Sequence, residues 1–338
     1  MTSLSGRLFR ATAPHIPTPI ARAFSAPAAV FFHGVESAAP DAPVAQNHHE
    51  KDEFAKIARA LKANFNVLPL GAIDEVLRNP GRHPRALFLM SDDGYANTLG
   101  VAADILDDLR LPWTLFVSTD HIDTGTPNPM LILRLFFAEA ADGVYRIPHI
   151  YPPVALAGVA QRASEESRVM RQIAELDARR ARVAISAMAK TVGDAVARYP
   201  AERFLLWDEV RALARRGVEI GAHAHWHWPM NGAQSLRTLR GQAAWSKARV
   251  ETEVGPCRFF AYPFGQPADV SAQAWRAVRE AGFSHAFTTV SGTLDASSNR
   301  WLLPRYGLPM RAGNVASLVA MLRAGNPRLR RWQEEMAA

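Results

Sequence analysis

Two periods of hydrophobic spacing alternate along this chain. Short continuous apolar runs mark buried strands. Between them, apolar residues recur every third or fourth position, the mark of amphipathic helices. AAVFFHGV (28–35) predicts a first buried strand. HHEKDEFAKIARALKANF (48–65) predicts a helix with Phe54, Ile57, Ala58 and Leu61 on one face, and His48 and His49 at its start read as solvent-facing. NVLPLGAIDEVLRN predicts a short strand, a turn and a helix, and RALFLMSDDG (85–94) a strand ending in charge. GVAADILDDLRL (100–111) predicts a helix stopped by Pro112, with Asp107 and Asp108 on a solvated face, and WTLFVSTDHI (113–122) a third strand. This order of strands and helices implies an α/β fold of parallel strands joined by helical crossovers.

Residues 125–200 break the rhythm. MLILRLFFAEA and QRASEESRVMRQIAELDARRARVAISAMAKTVG read as helices linked by YRIPHIYPP, a helical insertion on the α/β core. The pattern then resumes. LWDEVRALARRG (206–217) is a helix closed by Gly217. VEIGAHAHWH is a strand entering a loop, and RTLRGQAAWSKARVETEVG a helix. RFFAYPFG is a strand and turn, SAQAWRAVREAG a helix and FSHAFTTV a strand. Pro-rich residues 1–27 read as a surface-covering N-terminal extension, 28–325 as the main domain with its insertion, and 326–338 as a tail.

Composition narrows the class. With 338 residues, 48% hydrophobic and 21% charged, the chain can build a full-sized globular core. Its net charge of +7 is carried mostly by arginines spread along helices, as in DARRARVA and RALARRG. That pattern describes solvated faces, and no nucleic-acid motif accompanies it. The one cysteine, Cys257, rules out an intrachain disulfide and a cysteine-based zinc site, and reads as a small buried hydrophobe. The first residues show Arg and Pro without an apolar signal core, and no run approaches the roughly 18 apolar residues of a transmembrane helix. Cytoplasmic residence is the expectation, with loose attachment to a membrane through the basic N-terminus left open.

In parallel α/β folds, functional groups collect where strands end. Three ends here are chemically loaded: Asp92-Asp93-Gly94, the histidines of GAHAHWHWP (His223, His225 and His227), and the turn in FAYPFGQ (260–266). His223 and His227 share a face on a helical turn, whereas all three histidines share one on an extended segment. Either geometry lets two imidazoles converge. Two imidazoles and a carboxylate make a common ligand set for a catalytic divalent metal. One aspartate would bind the metal and the other would take a proton from its water, the cation letting both stay ionised.

FLMSDDGYANTLGVAADILDDLRLPWTLFVS resembles the first motif, T-F-D-D-G, of the polysaccharide deacetylase (NodB-homology) family. LWDEVRALARRGVEIGAHAHWHWP resembles its second, H-[ST]-x-x-H, and RFFAYPFGQ its third, R-x-P-[YF]-G. VFFHGVES is similar to the opening segment of many members. The likeness runs in order over roughly residues 28–310. It implies a distorted (β/α) barrel and metal-dependent removal of acetyl groups from a sugar of an N-acetylated glycan or glycan precursor. Carried onto this chain, it implies Asp92 as general base and Asp93, His223 and His227 as ligands of zinc, or of cobalt, nickel, manganese or iron. The backbone N–H of Phe264 would form part of an oxyanion hole. Metal-bound water would attack the acetamide carbonyl, releasing acetate and an amine.

The chain departs from the family pattern in places. Ala261 stands where many members carry the arginine that tunes the catalytic aspartate, and Arg305, in NRWLLPRYGLP (299–309), is a candidate replacement. No D-x-x-D-W motif is present, nor the L-x-x-H motif that supplies the general acid. His225 is the first candidate for that acid, with His33 and His285 behind it. A catalytically impaired carbohydrate-binding barrel is the alternative reading. Fe(II) oxygenases share the ligand set but are usually built on a β-helix, which this alternation does not resemble. Trp226 and Trp228 either stack on a sugar ring or pack at the core margin.

Overall fold

Side chains alternate between two destinations along the central strands of the computed structural model, which describes residues 26–37, 47–296, 298–314, 332 and 336. The strands are β1 Ala28–Phe32, β2 Gly34–Glu36, β3 His48–Glu50, β4 Asn66–Val67, β5 Ala86–Ser91, β6 Thr114–Val117, β7 Gly143–Tyr145, β8 Val154–Leu156, β9 Glu219–Ala222, β10 Phe259–Ala261, β11 His285–Phe287 and β12 Tyr306–Gly307. The α-helices are α1 Lys51–Asn64, α2 Ile73–Arg78, α3 Ala103–Asp108, α4 Thr119–Thr124, α5 Pro129–Glu139, α6 Gly158–Ala174, α7 Ala178–Val192, α8 Trp207–Arg215, α9 Leu236–Val254 and α10 Ala272–Glu280.

The main sheet runs β11-β10-β9-β6-β5-β1-β12, with β4 paired to the start of β5 and every pairing parallel. Leu303 bridges Phe287 of β11, and Tyr306 and Gly307 just beyond it pair with Val30 and Phe31 of β1. The segment 303–307 therefore links the two outer strands and curls the sheet into a distorted (β/α) barrel. Ala29, Phe88, Met90, Phe116, Phe259, Ala261 and Phe287 fill the inside as one apolar cluster. Their neighbours Val30, Leu87, Leu89, Leu115, Val117, Ile220, Phe260 and Ala286 face outward onto the helices. This is the period-two rule applied to strands buried on both faces. Gly221 belongs to the inward series, where a Cβ would lie 2.5 Å from the Phe116 ring and 2.9 Å from the Phe259 carbonyl oxygen.

Residues 125–200, read above as an insertion, contribute a buried cluster apart from the sheet, built from Ile132, Phe136, Val169, Ile173, Ala181 and Met188. The linker between its helices is more ordered than the sequence suggested, since β7 and β8 pair antiparallel across it. Two other expectations need correction. The run 113–122 is strand only to Val117, and α4 follows at once. His48 and His49 do not face solvent: they sit in β3, 1% and 2% exposed, because β3 pairs with β2 before α1 begins. The N-terminal extension, apart from Ala26 and Pro27, and all of the tail except residues 332 and 336 lie outside the described residues. Among the described residues no helix is long and apolar enough to cross a membrane.

Candidate functional site

Strand parity carries polar groups to the barrel mouth. The inward series of β5 runs Phe88, Met90 and then Asp92, just past the strand end. Asp92 is 1% exposed, and burial alone would raise its carboxyl pKa. The fully buried Arg305 overrides that effect: Nη1 and Nη2 donate to Oδ1 and Oδ2, each at 2.8 Å. With help from the neighbouring His223, the net shift is downward, so Asp92 is ionised at neutral pH. Arg305 comes from the segment that closes the barrel and reaches over β1. Its Nε donates to the Thr288 carbonyl at 3.0 Å, and its guanidinium lies 4.5 Å from the Phe31 ring centroid.

Asp93 turns the other way through a left-handed backbone, φ 74°, followed by Gly94 at 87°. Its Oδ1 lies 3.2 Å from His223 Nε2 and 2.9 Å from His227 Nε2, so three ligand atoms converge in a buried cluster. Burial again opposes ionisation, and the two imidazoles hold the Asp93 carboxyl well below its usual range. His223 Nδ1 donates to the Ala261 carbonyl at 2.8 Å, which leaves the Nε2 lone pair pointing at Asp93. Its pKa is raised, because Asp92 and Asp93 outweigh the effect of burial. His227 Nδ1 and Asp93 Oδ1 are buried without hydrogen-bond partners. An imidazole–imidazole–carboxylate set with a fixed tautomer and an orphaned buried oxygen has the chemistry a divalent cation requires.

The histidine loop is neither helical nor extended. Ala224 and His227 adopt left-handed φ angles of 57° and 48°. These kinks bring His223 and His227 together and turn His225 away. His225 Nδ1 pairs with Thr119 Oγ1 at 2.8 Å, and its Nε2 lies 3.7 Å from Asp120. Gln242, buried on α9, pins the loop by accepting from the His225 and Trp226 amides at 3.0 and 2.8 Å.

Asp92, Asp93, His223, His227 and Phe264 line one cavity of about 410 Å³, and His33 lines it too. Phe264 has a left-handed φ of 60°. Met130 and Arg134 of α5 bring the insertion to the same wall, beside Tyr95, whose hydroxyl accepts from Asn128 at 2.6 Å. His285 lies elsewhere, buried at the opposite end of the barrel and 3.4 Å from Asp74. Trp228 packs in the insertion's core, while Trp226 lies under the Arg182 guanidinium and edge-on to Trp245. Sequence reading missed Gln242, Tyr95 and Asn128. His33, ranked behind His225 from sequence, lies two residues beyond Phe31 in the inward series of β1.

A family model described as polysaccharide deacetylase matches residues 79–286. No curated protein matches the chain. Three solved structures share its fold at low sequence identity. The Streptococcus pyogenes deacetylase PplD, in complex with acetate, is 13% identical with a TM-score of 0.58, over 86% of this chain and 97% of that one. A de-N-acetylase from Aggregatibacter actinomycetemcomitans is 17% identical at 0.53, over 84% and 95%. IcaB from Ammonifex degensii is 13% identical at 0.55, over 89% and 98%.

Proposed function

This chain belongs to the polysaccharide deacetylase family, and from that premise we propose that it is a metal-dependent hydrolase removing acetyl groups from an N-acetylated sugar of a glycan or glycan precursor. The supporting observation is the pairing, in one cavity, of an arginine-gripped aspartate with an Asp–His–His cluster. In this reading Asp93, His223 and His227 hold a divalent cation, zinc or a neighbour such as cobalt, nickel, manganese or iron. A bound cation supplies a Lewis acid and lowers the pKa of adjacent water.

The protein's own groups perform the remaining steps. Asp92, ionised and held by Arg305, accepts the proton of the attacking water. The Phe264 amide donates to the carbonyl oxygen as negative charge builds on it. His33, in place of His225, starts neutral because burial lowers its pKa, and it relays to the leaving amine the proton that Asp92 took from water. Water adds to the acetamide carbon, the C–N bond breaks, and acetate and the sugar amine leave. Met130 and Arg134 give the insertion a part in choosing the sugar.

Acetate release from a panel of N-acetylated oligosaccharides tests this reading, with zinc-loaded wild type beside Asp92→Asn and His223→Ala. Release by wild type that both variants lose supports it. Stoichiometric metal without release from any member would favour a barrel that binds sugars without cutting them.

A further inference from the structure

Beside the Asp93 cluster, the described residues bring a second set of ligand atoms together: Glu36, His48 and Glu202. They come from three remote segments, the end of β2, the start of β3 and the turn that leaves the insertion. Glu36 Oε1 accepts from His48 Nδ1 at 2.7 Å. That contact orients the ring so that Nε2 offers its lone pair toward Glu202, as carboxylates do behind metal-bound histidines.

His48 Nε2 and Glu202 Oε1 are 3.6 Å apart, too far for a hydrogen bond. Two ligands each about 2.1 Å from a tetrahedral ion lie ~3.4 Å apart, which is close to the separation seen. His48 and Glu202 are 1% and 3% exposed, yet His48 Nε2 and both Glu202 oxygens have no hydrogen-bond partner. A buried carboxylate without a donor is costly unless a cation or a proton neutralises it. Burial raises the Glu202 carboxyl above its usual range, and it outweighs the opposing pull of His48 and of the Arg134 guanidinium.

The cradle is also kept open. A Cβ on Gly34 would lie 2.7 Å from His48 Nε2 and 2.8 Å from Asn97 Oδ1, itself a buried oxygen without a partner. Glu36, 17% exposed, leaves a path to solvent.

We propose that His48 and Glu202, with Glu36 behind the imidazole, form a second divalent-cation site. It ties β2, β3 and the end of the insertion to the catalytic wall through Tyr95, whose ring stands edge-on to His48 at 4.6 Å. Imidazole with carboxylate suits zinc, manganese or another first-row divalent ion.

The test is a titration of tag-free, chelator-stripped full chain with Zn²⁺ and with Mn²⁺, read by calorimetry and by elemental analysis after dialysis. Wild type should take two equivalents of at least one of these ions. His227→Ala and Glu202→Gln should each take one, and the double variant none. A single equivalent in wild type that His227→Ala removes and Glu202→Gln spares would overturn the second site and leave Asp93 as the only one. In that case a proton holds Glu36, His48 and Glu202 together. A single equivalent that Glu202→Gln removes and His227→Ala spares would uphold the second site and count against the catalytic metal. No binding at all would overturn both. Unfolding of Glu202→Gln would not blunt the test, because the wild-type stoichiometry stands alone. Gly34→Ala, which fills the cradle, should also drop one equivalent.

Discussion

Arg305 grips Asp92 with both Nη atoms at 2.8 Å across a sequence separation of 213 residues, and both side chains are buried. The pair supplies from the barrel's closing segment the cation that Ala261 lacks. Replacing Arg305 with Met would strand a buried carboxylate, a change that costs about 3–5 kcal/mol where one partner of such a pair is removed. Without Arg305, burial would raise the Asp92 pKa, so the acid limb of the pH dependence of kcat/KM should move to higher pH. Arg305→Lys keeps the charge but loses the fork, and should fall between. The linkage has a definite sign. Because Asp92 is lowered in the folded state, its contribution to stability is present above its unfolded pKa and is lost as pH falls through the folded value. Acid-melting curves of Arg305→Met should lack that component.

Asp92 and Asp93 are adjacent in sequence but differ in assigned role, and substitution separates them. Asp92→Asn should lower kcat by about 10²–10⁴-fold while metal content holds. His227→Ala or Asp93→Asn should lose the catalytic metal and activity together. Elemental analysis beside acetate release checks both. An Asp92→Asn protein that keeps near-wild-type turnover would end its assignment as the base.

Much of this layout is legible in the sequence because strand parity is simple. The ends of the apolar runs mark Asp92 and His223 as strand-end residues with no structure in hand, and the series 88, 90, 92 and 221, 223 turns inward in the barrel. His225 has the same parity, but two left-handed residues, Ala224 and His227, break the count, and alternation carries no sign of such kinks. His48 and His49 looked exposed because they open a helical run. Their burial depends on β2, which no local pattern connects to them. Arg305 was visible as a candidate, whereas its grip on Asp92 depends on barrel closure, a long-range event.

His33 and His225 make a clean contrast. His33 lines the cavity with both aspartates, whereas His225 is tied to Thr119 and Asp120. His33→Ala should lower kcat by roughly 10²-fold or more, the scale of a lost general acid, with metal content unchanged. His225→Ala should leave kcat within a few-fold of wild type. The opposite ranking would return the acid role to His225.

Gly221 leaves room for the Phe116 ring two residues before His223. Gly221→Ala would push a methyl into that ring and the Phe259 carbonyl. Overpacking of this kind costs about 1–3 kcal/mol. The strain falls next to His223, which the proposed function makes a ligand, so metal affinity should drop with the melting temperature. A variant that melts lower but binds metal normally would show that the strain relaxes away from His223.

Among the buried histidines that add to the acid sensitivity of the fold, His121 and His49 have clear packing partners. Burial lowers His121 to about 3 and His49 to about 4, against an ordinary value of 6.5. His121 stacks on Phe204, and His49 stands edge-on to Phe54. In both cases the unfolded chain binds the proton first. Stability should therefore be flat with respect to these rings above pH 6.5. It should fall as pH drops from 6.5, until about 4 for His49 and about 3 for His121. The slope approaches on the order of 1.4 kcal/mol per pH unit for each ring. His121→Gln and His49→Gln should each flatten that part of the curve while losing some stability at neutral pH. Urea melts at pH 7.5, 5.5 and 4.5 separate the two effects, and an unchanged slope in both variants would place the acid sensitivity elsewhere.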